Sequence, residues 1–278
     1  MTLPQKNLGR TGYSATRLGL GGEGVLRTFG YDRQAQTVIE AALAAGINYF
    51  ETARAYSGSE AYLGRGLKGR RDQIFLTSKS HGRTFREAMA HLSITLKNLD
   101  TDYLDLWQVH DIRTMEEVEA LGAPGGALEA FNHARERGWV RFIGVTGHHD
   151  PEVLRRALTQ YEFDTVLLPV NPAEPQHGNF LPLAQEATAK GMGVIAMKTL
   201  CRGQLPQMSE EPALMVKELL AYALSQSVTL AVVGADSAPQ VGELAAAVRN
   251  FAPMTPEEAR RLEESVAPYA RQLMYYKP

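Results

Sequence analysis

Tyr49-Phe50-Glu51-Thr52-Ala53-Arg54-Ala55-Tyr56 is the stretch on which the reading of this chain turns. Two later runs share its design: Ile74-Phe75-Leu76-Thr77-Ser78-Lys79 and Tyr103-Leu104-Asp105-Leu106-Trp107-Gln108-Val109-His110. In each, a short apolar strand ends in an ionisable side chain. A carboxylate, a phenol, an ammonium and an imidazole are thereby delivered to strand ends. If the strands are parallel neighbours, the four groups meet at one mouth. Tyrosine, lysine and histidine converging on one pocket suit proton transfer to a carbonyl oxygen.

Working outward, strands and helices alternate from Leu18 to Val248. Eight strand signals centre near Leu20, Phe50, Phe75, Leu106, Ile143, Val166, Val194 and Val232. The intervening pattern predicts helices over Arg33–Ala45, capped by Asp32 and stopped by Gly46, and over Glu60–Leu67, Thr84–Leu99 and Ala127–Arg137. Asp150-Pro151 caps and opens another. Leu183–Lys190, Ala213–Ser225, Ala238–Val248 and Pro256–Tyr269 complete the set. Thr84–Leu99 is the clearest, with Phe85, Ala88, Met89, Leu92, Leu96 and Leu99 on one face. His91 lies off that stripe and reads as a solvated surface residue. The acidic run Met115–Glu119 reads as part of a solvated loop over Arg113–Gly126.

Strands separated by helices demand a parallel sheet. Eight such units in this length make a closed (β/α)₈ TIM barrel, one domain over residues 1–278. Leu8-Gly9-Arg10-Thr11-Gly12-Tyr13 and Ala15-Thr16-Arg17-Leu18 predict an N-terminal β-hairpin before it. A doubly wound sheet is disfavoured, because Leu18-Gly19-Leu20-Gly21-Gly22 does not open straight into a helix.

Composition narrows the function. The 278 residues carry 29 Lys and Arg against 31 Asp and Glu, a net charge of −2. Near-neutrality leaves no electrostatic footprint for nucleic acid or a membrane surface. One cysteine, Cys201, excludes a disulfide framework and a Cys-ligated metal centre. Met1–Arg10 has no apolar signal core, and no run approaches a bilayer span. A cytoplasmic location is expected; the sequence is silent on oligomeric state.

In the predicted barrel Glu51, Lys79 and His110 end strands two, three and four, and Tyr56 follows in the loop after strand two. A phenol titrates near ~10, so it is a poor acid unless a cation such as Lys79 stabilises the phenolate. Glu51 would hold Lys79 in an ion pair, and His110 would orient a carbonyl oxygen.

The residues also carry a resemblance. Gly46-Ile47-Asn48-Tyr49-Phe50-Glu51-Thr52-Ala53 with Tyr56, Gly64-x-Gly-Leu-Lys68, Thr77-x-Lys79 and Thr101-Asp102-Tyr103-Leu104-Asp105-Leu106-Trp107-Gln108-Val109-His110 resemble the aldo-keto reductase superfamily. The likeness runs from the Leu8–Gly12 hairpin to Gly234-Ala235. It implies a (β/α)₈ barrel binding a nicotinamide cofactor without a Rossmann fold, and reduction of a small-molecule carbonyl substrate. Tyr56 would be the acid, supported by Lys79, His110 and Glu51. The family usually has aspartate where Glu51 stands.

The implied cofactor contacts are Gly22, Thr146, Gly147, Asn171, Met197, Lys198, Leu200, Arg202, Gly203, Gly234, Asp236, Gln240 and Glu243. Thr146-Gly147-His148 replaces the family's Ser-Asn after strand five. Leu167 stands where a glutamine is usual after strand six, and Met197 where an aromatic often stacks on the nicotinamide. Leu244 replaces a common asparagine. NADP(H) is the family default; Asp236, a carboxylate where relatives often carry Arg or Lys, leaves NAD(H) open as the alternative.

Two competing readings belong beside this. One is a cofactor-binding regulatory protein of the same fold with weak or no turnover. The other is a metal-dependent barrel hydrolase built on His110, His148 and His149, which lacks a His-x-His on strand one and has two adjacent histidines expected to diverge. No metal is expected. A Schiff-base aldolase through Lys79 leaves Tyr56 unexplained. Tyr275 and Tyr276 are candidates to line the pocket, and Arg54 to meet an acidic substrate.

Overall fold

The eight apolar runs become eight strands because each is bounded by turn residues and buried on both faces, as a parallel sheet requires. In the computed structural model, which describes residues 2–277, they are β1 (Leu18–Gly24), β2 (Tyr49–Glu51), β3 (Phe75–Ser80), β4 (Leu104–Val109), β5 (Val140–Thr146), β6 (Thr165–Pro169), β7 (Gly193–Met197) and β8 (Leu230–Ala235). All neighbours pair in parallel, and β8 pairs with β1 to close the barrel. The register aligns Leu20 with Phe50, Phe50 with Leu76, Thr77 with Leu106 and Leu106 with Phe142.

The register sorts side chains into layers inside the barrel. Near the floor, Tyr49, Phe75, Leu106, Leu167, Ile195 and Leu230 form one apolar cluster. Tyr49 stacks on Phe75 with ring centroids 5.5 Å apart. The hairpin, Gln5–Asn7 paired antiparallel with Ser14–Thr16, closes that floor. Its turn inserts Leu8, fully buried, into the same cluster. Gly9 permits this: its φ is +51°, and a Cβ there would lie 2.2 Å from the Gly193 nitrogen. With the bottom plugged, polar groups collect at the opposite end.

Most helices fall where the periodicity places them. Thr84 caps Phe85–Leu99 with a reciprocal capping box through Glu87, and Asp150 caps Pro151–Gln160. Three expectations shift. Asp32 is the first residue of its helix rather than its cap, and pairs with Arg65. The Met115–Glu119 run is helical, over Met115–Gly122, because Thr114 caps it and Val118 and Leu121 are buried. Two glutamates in its first turn suit the positive end of the helix. The last predicted helix breaks after Val266 into two short turns ending at Leu273. Among the described residues no helix is long and apolar enough to cross a membrane.

Candidate active site

Glu51 is the last residue of β2, Lys79 lies one before the end of β3, and His110 directly follows β4. Because the strands are hydrogen-bonded neighbours, these groups converge at one mouth. Lys79 forms an ion pair with Glu51 and donates to the Thr52 carbonyl at 2.9 Å. Lys79 is 2% exposed and Glu51 4%, so the glutamate in place of the family aspartate reaches the ammonium. A charge so removed from water persists only with a partner.

Tyr56 is held by backbone contacts rather than by a strand. Thr52 N–H donates to the Thr77 carbonyl and Arg54 N–H to the Lys79 carbonyl, each at 2.9 Å, which ties the loop to β3. Arg54, the candidate for meeting an acidic substrate, is engaged within the fold. It pairs with buried Glu60, which also accepts from Ser78, Thr95 and Asn98. This fixes the half-buried Tyr56 ring in place. The Lys79 ammonium lies 5.0 Å from the Tyr56 ring centroid and the Arg27 guanidinium 4.9 Å. The His110 ring meets it edge-on, with centroids 6.0 Å apart.

The environment keeps the phenol protonated. Burial, then the charges of Glu51 and Glu23, push Tyr56 well above the ordinary value of 10.0, against Arg27. Lys79, paired with Glu51, remains the cation nearest to where a phenolate would form, beside Arg27. A raised phenol pKa retains its proton as pH rises. Phenolate absorbance of the wild-type and Tyr56→Phe chains is accordingly expected to coincide up to pH 10 and to separate only above it. A difference emerging below pH 10 would refute this environment. His110 moves the other way: burial, then Lys79, His81, His148 and Arg83, hold it well below 6.5. It is a neutral imidazole at neutral pH, and its Nδ1 is buried without a partner.

The expected cofactor contacts divide into two groups. Met197 ends β7, and the loop after it, Lys198 to Gly203, is strained. Lys198, Cys201 and Arg202 adopt φ of 59°, 47° and 55°, a region that non-glycine residues avoid and that clusters at ligand sites. Leu200 is half-buried there and Arg202 exposed. Beyond β8, Asp236, Gln240 and Glu243 are exposed around the start of helix Ala238–Arg249, which Ser237 caps.

The second group is used by the fold itself. A Cβ at Gly22 would lie 2.9 Å from the Glu51 carbonyl oxygen, and one at Gly234 2.8 Å from the Glu23 carbonyl carbon. These glycines permit backbone contact between neighbouring strands. Thr146 accepts from the Asp111 N–H at 2.8 Å and is buried, as is Gly147 after it. Asn171 is fully buried and bonds to the Lys198 carbonyl, the Ala173 N–H and the Tyr276 hydroxyl. Leu167 lies inside the floor cluster, so the residue presented after β6 is Asn171, not Leu167. Leu244 is core.

Other residues complete the surroundings, and of these only Glu23 was not singled out from the sequence. Glu23, near the end of β1, faces Arg27 at 2.7 Å and Arg202 at 3.6 Å. Burial raises its pKa, but Lys198, Arg27 and Arg202 together overcome this and lower it. No local pattern singles it out in the sequence, since Arg202 reaches it from far along the chain. Tyr276 is buried against His148, edge-on at 5.6 Å, and its hydroxyl bonds Glu174. Exposed Tyr275 stacks under Arg202. His91 is not solvated: it bonds the Ser80 hydroxyl at 2.9 Å. His148 and His149 do not diverge, because β5 stops at Thr146; their rings stack 4.6 Å apart.

A closed parallel barrel with a Tyr, Lys and His at one mouth defines a class of barrel proteins in which strand ends carry the chemistry. The sequence pattern described as "Aldo/keto reductase family" matches residues 17–219, and the chain belongs to that family. An aldo-keto reductase of Bacillus subtilis, YhdN, is 29% identical over 227 residues, which are 72% of this chain and 63% of that protein. The aldo-keto reductase AKR11C1 of Bacillus halodurans, in its holo form, superposes with a TM-score of 0.79 at 23% identity, covering 94% of this chain and 96% of that one. An aldo-keto reductase of Klebsiella pneumoniae, solved in complex with NADPH, gives 0.76 at 21% identity, covering 96% of each.

Proposed function

We propose that this chain is an NAD(P)H-dependent oxidoreductase that reduces an aldehyde or ketone to an alcohol. The observation that carries the proposal is the convergence of Tyr56, Lys79 and His110, with the Tyr56 ring 5.0 Å from the Lys79 ammonium and 6.0 Å from the His110 ring. When bound, the cofactor supplies a hydride to the carbonyl carbon. The residues of the chain supply the rest. Neutral His110 donates a hydrogen bond that orients the carbonyl oxygen. Tyr56, protonated across the neutral range, gives its proton to that oxygen as negative charge develops there. Lys79 stabilises the phenolate left behind, and Glu51 holds Lys79 in position.

The residues fit a dinucleotide. Arg27, Lys198 and Arg202 surround one carboxylate, Glu23, a surplus of positive charge suited to a pyrophosphate. NADP(H), which the Klebsiella relative holds as NADPH, is our expected cofactor. Asp236, exposed after β8, favours the second reading, NAD(H), since a carboxylate repels a 2'-phosphate and accepts from a free ribose hydroxyl. Asp236→Arg is expected to raise the ratio of kcat/KM with NADPH to that with NADH by about tenfold, equivalent to ~1.4 kcal/mol. An unmoved ratio removes Asp236 from cofactor selection.

A further inference from the structure

The rim between β4 and β5 holds a second cluster of ionisable side chains, separate from Tyr56 and Lys79. Asp111 stands in the loop after β4, and His148 and His149 follow β5. One ligand atom from each lies within 4.8 Å of the others. The His148 Nε2 is 3.1 Å from the Asp111 Oδ1, and the His149 Nε2 is 3.7 Å from the same oxygen. All three side chains are largely shielded, at 13% exposure for Asp111, 17% for His148 and 19% for His149.

The contacts are not ordinary hydrogen bonds. The Asp111 Oδ1 and the His149 Nε2 are both buried without a hydrogen-bond partner despite their closeness. Buried polar atoms are normally satisfied. Here one carboxylate oxygen and two imidazole nitrogens face one another across a gap, an arrangement a cation can resolve. The spacing agrees. A tetrahedral ion with bonds of about 2.0–2.1 Å sets its ligands roughly 3.3 Å apart, between the two distances observed.

The surroundings are those of a built site. Asp111 adopts φ of +54°, a conformation that aspartate tolerates and most residues do not. Its N–H donates to the Thr146 hydroxyl at 2.8 Å, and the Ile112 N–H to the Thr146 carbonyl at 2.9 Å, which fixes the loop to β5. Arg113 takes the other carboxylate oxygen, Oδ2, at 2.7 and 2.8 Å. This leaves Oδ1 turned towards the imidazoles, the part an outer partner plays for a ligating carboxylate. Tyr276 closes one side, edge-on to His148.

We propose that Asp111 Oδ1, His148 Nε2 and His149 Nε2 bind one divalent first-row transition ion at the mouth of the barrel. Two imidazoles and a carboxylate suit zinc and its neighbours rather than calcium or magnesium, and leave coordination positions open. The proposal does not depend on the reduction assigned above, because its test is binding.

The test is equilibrium dialysis of chelator-treated full-length protein against Zn²⁺ alone and Co²⁺ alone. The wild type is expected to retain one equivalent of each, with a visible Co²⁺ spectrum of lowered symmetry and a higher melting temperature than without metal. His149→Ala and Asp111→Asn are expected to weaken binding by more than the ~10–100-fold that loss of a supporting residue costs. Their melting temperatures in chelator report that the variants fold. Calcium and magnesium should not compete. Wild type that retains no equivalent, or variants that fold and bind as wild type does, would overturn the site.

Discussion

Tyr56→Phe is expected to lower kcat for reduction of an activated aromatic aldehyde by about 10²–10⁴-fold, the range for removal of a positioned proton donor. The substitution removes only the hydroxyl. The ring keeps its place between Arg27 and Lys79, and the loop keeps its backbone bonds to β3. Cofactor affinity, read by fluorescence titration with NADPH and NADH, should therefore stay the same. Because Tyr56 is held protonated by burial and by Glu51 and Glu23, the loss should be uniform through the neutral range. The same experiment separates the enzyme from a regulatory protein of this fold. Tight cofactor binding with turnover that ignores the hydroxyl would sink the proposed chemistry and favour the regulatory reading.

Lys79→Met is the second large effect, and it acts on the fold as well as the site. Both partners of the Lys79–Glu51 pair are almost wholly buried. Removing the ammonium leaves Glu51 charged, unpaired and out of water, and strips a donor from the Thr52 carbonyl. A broken buried pair costs about 3–5 kcal/mol, whereas loss of an exposed pair costs about 0–1 kcal/mol. Denaturant unfolding decides between them. Adding Glu51→Gln to Lys79→Met should recover much of the stability, since no orphaned charge then remains. A single variant as stable as wild type would mean that the pair is open to solvent.

The barrel was legible because its strands are short apolar runs at regular intervals, and a run that begins with Tyr49-Phe50 or Leu104-Asp105-Leu106 has few other uses. The positions of Glu51, Lys79 and His110 were legible for the same reason: each is an ionisable group standing at the C-terminal end of such a run. The helix Met115–Gly122 escaped because its charged face dominates the composition, while only Val118 and Leu121 face inwards. Leu167 was matched to the family's glutamine by resemblance alone, but the strand continues to Pro169 and Leu167 lies inside the barrel. Glu23 and Asp111 were silent for another reason. A single carboxylate beside glycines, or after a histidine, has no meaning until the fold brings Arg202 or His149 to it from far along the chain.

The hairpin beneath the barrel ties this architecture to its own assembly. Lys6 donates to the Val228 carbonyl and Arg10 to the Phe163 carbonyl, partners separated by 222 and 153 positions. The closing seam likewise joins Leu18 to Ala231. During synthesis these early residues must wait, unmatched, until most of the polypeptide has been made. Contacts of such long range slow the search for the native state, so the last event of folding is expected at the seam and its floor plug. A nascent chain halted before β8 would expose the bare edge of β1, which is where chaperones or self-association would act.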